Sequence, residues 1–265
     1  MSIQNFIPNL WTRVLGESIS EKQTIANHVM RMGGEFCNWG DALNIDVEKD
    51  IRVKPFNPEA EVEPDNLLII EHGAYYNFFV NDADRVQSDL VKMKDAMKTA
   101  AEGLAVDSEQ YLLSKICKAA GVRMKEKLPQ TSEECSELIA CVYSCMKQRR
   151  NSSAVVSVVV PVHLMEIMMG DRMLIYEKMN HFEQEDVLSM RFMGIPVFAS
   201  PDLQKEVVAM EDDAVWFAGK VTRLLPYRPE RGFCDGVKGL YLCGATVEKP
   251  DGVCVCELTL GGAEG

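Results

Sequence analysis

The sequence predicts an α+β protein, on three observations. An apolar stripe of helical period, slipping once by a residue, runs through residues 83–120. Runs of β-branched and aromatic residues, the types strands favour, lie on both sides of it at 67–80 and 154–161. A second helix signal at 131–150 and two short strand patterns around Gly194 complete the mixture.

The opening is irregularly apolar, with Phe6, Ile7, Pro8, Leu10, Trp11, Val14, Leu15 and Ile19. It reads either as an arm or as an amphipathic helix on its own core. A Gly33-Gly34 break follows, and an alternating strand begins at Gly40. Residues 46–65 are charged and hold Pro55, Pro58 and Pro64. Proline removes a ladder donor, so this is no central strand. The segment is too long for a tight turn, and both a projecting arm and a plain surface loop fit it.

The long helix is the organising element. Asn81-Asp82-Ala83-Asp84 supplies side chains suited to capping free N–H groups. Val86, Leu90, Met93, Met97, Ala100 and Leu104 then form one stripe, which slips by a residue to Leu112, Ile116 and Ala119. Gly121 is the expected stop. Such a helix is roughly 57 Å long at about 1.5 Å per residue.

Residues 125–129 read as a polar connection. Thr131 and Glu134 have the spacing of a capping box, and Cys135, Leu138, Ile139, Val142 and Met146 share one face of the helix that follows. The continuous run at 154–161 suits a buried strand, with a short helix after it at 162–169. Two short strands are expected around Gly194 within 187–200, and the chain has a glycine-rich end.

Taken together, these stretches resemble the major capsid proteins of tailed bacteriophages, which share the Hong Kong 97-type shell fold. The resemblance is carried by Phe6-Ile7-Pro8-Asn9-Leu10-Trp11, by the strand, cap and long helix, and by Gly40-Asp41-Ala42-Leu43-Asn44-Ile45. In the second half it is carried by Val160-Pro161 followed by Gly194-Ile195-Pro196-Val197-Phe198-Ala199-Ser200. It implies an N-terminal arm at 1–40, an extended loop with flanking strands at 41–80 and a peripheral-domain spine helix at 81–130. An axial domain at 131–205 and return strands at 206–265 complete the implied fold. It also implies self-assembly into hexamers and pentamers of an icosahedral head around double-stranded DNA, built in the host cytoplasm. Portal, separate scaffolding and decoration proteins are the implied partners. Phe6, Ile7 and Trp11 in the arm, with Arg52, Lys54 and Phe56 in the loop, are the expected intersubunit contacts. A cellular nanocompartment shell of the same fold, enclosing cargo enzymes, is the alternative. A soluble enzyme with an unrecognised site is the alternative from another class.

Composition bounds the rest. The 47% apolar and 26% charged fractions are those of a folded globular chain. No apolar run reaches the ~18 residues of a membrane helix. A net charge of −12 argues against a dedicated DNA-binding surface, which needs Lys and Arg to neutralise phosphate. No phosphate-binding glycine loop or nucleophile elbow is present, and no cofactor, metal or catalytic group is expected. His28, His72, His163 and His181 are scattered. The nine cysteines read as buried thiols. Cys141 and Cys145 could share a helix face, and Cys254 and Cys256 are expected on opposite faces of a strand. The acidic groups Asp82/Asp84, Glu183/Glu185/Asp186 and Glu211/Asp212/Asp213 read as a helix cap and solvated loops.

Overall fold

The computed structural model describes residues 8–33, 36–45, 67–81, 89–149, 153–169, 174–178, 188–192, 194–228 and 234–259. It opens with helix α1 (Pro8–Lys22). Proline suits that first position because its missing N–H would be unpaired there anyway. Leu15 and Ile19, four apart and so on one face, are fully buried in the chain's own core. A single 3₁₀ turn (Ile25–Asn27) leads to a two-residue strand, β1 (Met30–Arg31). Residues 8–31 are thus built into the body, and of the expected arm at 1–40 residues 1–7 and 34–35 lie outside the described residues.

Strands β2 (Ala42–Asn44) and β3 (Leu67–Ile69) form a small antiparallel pair. The chain breaks at Ile70-Glu71 before β4 (His72–Asn81), so the expected single strand is two. The proposed cap at 82–84 lies outside the described residues. Helix α2 (Asp89–Ala119) is the long helix. Its stripe continues through the slip because Ala101, Leu104, Ala105 and Ser108 are buried between Met97 and Leu112. Ser108, wholly buried, donates to Ala105 O at 2.9 Å and accepts from Gln23 Nε2 at 2.7 Å. A polar residue holds this apolar face without cost because both its hydrogen-bonding roles are filled. Ala119, expected on the stripe, is exposed.

Gly121 ends the helix for a reason other than a left-handed cap. Its N–H donates to Pro250 O at 2.9 Å, and a β-carbon there would lie 2.7 Å from the Pro250 carbonyl carbon. Two backbones touch, and only glycine lets them. Residues 122–127, partly expected as a polar connection, form β5 (Val122–Lys127). Only Val122 is fully buried there, so the strand carries almost no apolar signal.

Helix α3 (Ser132–Arg149) buries the five residues expected on its face. Its start is capped by Thr131 Oγ1, which accepts from Glu134 N at 3.3 Å. Glu134 Oε2 reaches back one residue further than the standard box, to Gln130 N at 2.6 Å. Strand β6 (Val156–Pro161) is buried throughout and runs straight into α4 (Val162–Met169). Then come β7 (Leu174–Lys178), β8 (Leu188–Phe192) and β9 (Ile195–Ser200), the last two joined at Gly194 with φ +85°. The chain closes with β10 (Glu206–Glu211), β11 (Val215–Tyr227), β12 (Cys234–Val247) and β13 (Val253–Thr259).

These strands make two main sheets. One has the order β1-β11-β12-β4, and the other β5-β13-β10-β6-β9-β8-β7. Helix α2 packs on both. Met97, Leu104, Leu112 and Ile116 share a core with Tyr76, Phe217 and Tyr241 of the first sheet, and with Val159, Val208 and Val255 of the second. The long helix is a spine in the mechanical sense, since it buries one face of each sheet. The other face of the seven-stranded sheet is covered by α3 and α4.

Strand period explains the cysteines. Cys254 and Cys256 face the α3 side together, while Val253 and Val255 face the spine. Residues two apart share a face, so the expected opposition of the two thiols is corrected. Glu211 corrects another reading. It is fully buried at the end of β10 and paired with Lys147 Nζ at 3.1 Å, not solvated in a loop.

Candidate intersubunit surface

On β4, β11 and β12 the pleat sends alternate residues to opposite sides. One side meets the spine. Tyr76 lies over Gly239, and Tyr241 over Gly219, each glycine leaving the hollow its tyrosine fills. Tyr241 Oη accepts from Gln23 Nε2 at 3.3 Å.

The opposite side is only half covered. The β2–β3 pair and Phe36 pack on it through Leu68, Ile70, Ala218 and Leu242. Gly244 permits this, because a β-carbon there would lie 2.4 Å from Ile69 O. Beyond that cover no other described element packs on the face. Tyr75 is 83% exposed, Trp39 65% and Leu225 50%. Trp39, Gly73, Tyr75, Arg223, Leu240 and Leu242 line a groove of about 200 Å³. Large aromatics left this open are what buried contact centres use.

Of the residues expected to grip neighbours, only Trp11 lies among the described ones. It is half-buried and packs against its own core. Phe6, Ile7, Arg52, Lys54 and Phe56 lie outside the described residues. Trp39 and Tyr75 were missed by sequence reasoning. Tyr75 sits in an aromatic run whose alternation would have placed it opposite Tyr76, but nothing in the sequence says which side of a sheet is covered.

A polar cluster joins the start of β4 to the spine. His72 Nε2 lies 2.7 Å from Asp107 Oδ2, and its ring stacks on Tyr111 at 4.5 Å. Tyr111 donates to Glu71 Oε1 at 3.0 Å, and Lys115 pairs with the same carboxylate. Lys115 and then Tyr111 hold the Glu71 carboxyl below the usual range, against the opposing pull of partial burial. Each of these polar groups has a partner, and the cluster clasps β4 to the spine.

No cysteine with a described side chain is in a disulfide. Burial pushes Cys135 up to about 11 and Cys256 up to about 12. Among the described residues no three His, Cys, Asp or Glu side chains group as a metal site would require. No described helix is long and apolar enough to cross a membrane.

No family model matches the chain, and no curated protein matches it by sequence. Solved structures do. A structure from Mycobacterium phage Che8 is 18% identical, with TM-score 0.57, over 88% of this chain and 90% of that one. The capsid of the cyanophage P-SCSP1u gives TM-score 0.60 at 11% identity, over 90% and 89%. The chain has the Hong Kong 97-type shell fold. The holo-SrpI encapsulin complex from Synechococcus elongatus fits equally well, with TM-score 0.59 at 10% identity over 91% and 89%. Identity this low carries the fold and no more.

Proposed function

We propose that this chain is the major capsid protein of a tailed bacteriophage, a structural subunit whose copies close into an icosahedral head around double-stranded DNA. The observation that supports it most is length. The likeness to solved phage structures covers about nine tenths of both chains, 88% and 90% for the Che8 structure. Hexamers and pentamers would form the lattice, with portal, separate scaffolding and decoration proteins as partners in the virion. Trp39 and Tyr75 supply exposed contact area, and Phe6, Ile7, Trp11, Arg52, Lys54 and Phe56 remain the proposed grips on neighbours. The work is mechanical. A closed lattice repeats each contact at every subunit, so contacts that are individually modest add up.

The second reading is a nanocompartment shell enclosing cargo enzymes, favoured by the encapsulin likeness. Contents separate the two. Electron microscopy of the purified protein, alone and co-expressed with its neighbouring phage genes, is expected to show closed shells. Nuclease-protected DNA inside supports the capsid reading, and protein cargo the other. A chain that stays monomeric across salt, concentration and co-expression refutes both.

A further inference from the structure

Where β1 stops, one edge of β11 stays open. Strand β1 pairs with β11 at Trp216 and Phe217, and Met32 N donates to Phe217 O at 2.9 Å. Further along β11 no described strand lies on that side. Backbone groups of alternate residues in a strand aim to the same side, so the Gly219 N–H points past the end of β1. Gly219 is exposed and has no side chain to screen its amide.

Beside this edge lies a cleft of about 120 Å³ between α1, β1 and β11. Ser20, Gln23, Arg31, Gly219, Lys220 and Tyr241 are among its lining residues, and none of the lining residues is acidic. A guanidinium carries five N–H donors. Arg31 Nε donates to Ala26 O at 3.0 Å, Nη1 to Ser20 Oγ at 2.7 Å and Nη2 to Gln23 Oε1 at 2.7 Å. All three acceptors are neutral, and among the described residues no carboxylate pairs with this cation. Burial lowers its pKa, against the opposing pull of Tyr241 and Glu109. Glu109 is itself engaged by backbone, accepting from Thr24 N and from Ile25 N at 2.6 Å. One N–H on each terminal nitrogen of Arg31 is thus left over, and the residue is reachable from solvent. Gln23 is buried and its amide group is occupied by Ser108 and Tyr241, so the guanidinium is held in place in advance. Lys220, also exposed, adds a second cation at the rim.

We propose that this cleft binds a phosphate group, with Arg31 as its anchor, the Gly219 amide as a second donor and Lys220 as the charge at the rim. Two cations, an amide and no acid suit a tetrahedral oxyanion of up to two charges better than a planar carboxylate of one. Organic ligands occupy sites of roughly 300–1,000 Å³, so a cleft this small recognises the phosphate group itself. Bound there, the anion would bridge the first helix to the open edge of β11 and clamp the two together. Free phosphate and the backbone of a nucleic acid present the same group. The proposal goes beyond the shell reading and does not depend on it.

The test follows thermal melting of the full chain in chloride, inorganic phosphate, acetate or a short DNA duplex, at one pH and one ionic strength. Titration calorimetry supplies the Kd. Phosphate at ten times that Kd is expected to raise the wild-type Tm by about 3–5 °C. Arg31→Gln is expected to weaken phosphate binding at least about tenfold, and Lys220→Gln about threefold through loss of an exposed charge. A merely structural Arg31 would lower Tm alike in every salt and leave the phosphate increment in place, which would overturn the proposal. Acetate acting as strongly as phosphate would also overturn it. A rise with DNA alone, lost in Arg31→Gln, supports the site and makes nucleic acid the source of the group. No rise with either ligand, or a rise that both variants keep, refutes it. Should Arg31→Gln lose its cooperative melt, Lys220→Gln decides, with unchanged phosphate affinity counting against the proposal.

Discussion

Two glycine-to-alanine substitutions are expected to have opposite signs, and the difference follows from where each glycine sits. At Gly219 the added methyl would lie 2.1 Å from Tyr241 Oη and 3.1 Å from Phe217 Cε1. Tyr241 is 3% exposed, so its ring has little room to retreat. Overpacking of this kind costs about 1–3 kcal/mol. Displacing the hydroxyl also loosens the bond from Gln23, at a cost of about 0.5–1.5 kcal/mol. Alanine in a strand returns about 0.5–1 kcal/mol of backbone entropy. The net for Gly219→Ala spans about 0.5–4 kcal/mol of destabilisation and centres near ~2 kcal/mol, or roughly 4–8 °C in Tm for a chain of this length. Gly16, in the middle of α1, has nothing within 4 Å of its β-carbon position. There the entropy term stands alone, and Gly16→Ala is expected to stabilise by about 0.5–1 kcal/mol. Urea denaturation of the unassembled chain measures both. A double-mutant cycle sharpens the test, because Gly219→Ala should cost clearly less in a Tyr241→Phe background, where the clashing oxygen is gone. Equal cost in the two backgrounds, or a Gly219→Ala protein within about 0.5 kcal/mol of wild type, would refute the packing of Tyr241 over this glycine.

Three further outcomes are expected. Replacing residues 47–64 by a short Gly-Ser turn should preserve the circular dichroism and cooperative melt of the unassembled chain while abolishing regular particles; normal particles would make the segment a plain surface loop, and an unfolded chain would make it core. The Glu71 clasp should make stability pH-dependent: its carboxyl is lowered in the folded state, so the contribution is present above the ordinary carboxylate range and is lost as pH falls through the lowered value. Lys115→Met should flatten the acid limb of a Tm-against-pH curve, and an unchanged curve counts against the clasp. Finally, a thiol reagent on native protein should label exposed Cys37 and Cys141 quickly, and buried Cys243 and Cys254 only on unfolding; fast native labelling of Cys243, followed by mass spectrometry, would contradict its burial.

The elements legible from sequence were those whose burial is one-sided and local. Cys135, Leu138, Ile139, Val142 and Met146 repeat at helical spacing, and α3 buries all five. The run at 154–161 is apolar on both faces, and β6 is covered by the spine on one and α3 on the other. Helix α2 announced itself by length, and fold class and the resemblance to shell proteins followed from that order of signals. What the sequence could not hold was any property set by two distant segments at once. The slip in the spine's stripe is resolved by Gln23, just past the end of α1, reaching Ser108. Gly121 is glycine because Pro250, far along the chain, presses on it. Strand β5 has too little apolar pattern to be seen, and exists because β13 offers it an edge. Glu211 reads as one of three loop acids until β10 carries it into the core beside Lys147. The outer face is the clearest case. Periodicity separates Tyr75 from Tyr76, but only the packing of the spine on one side and of the short β2–β3 pair on half of the other decides which tyrosine meets water. Local pattern fixes what a segment can bury; the register and stacking of segments remote in sequence decide what is left uncovered.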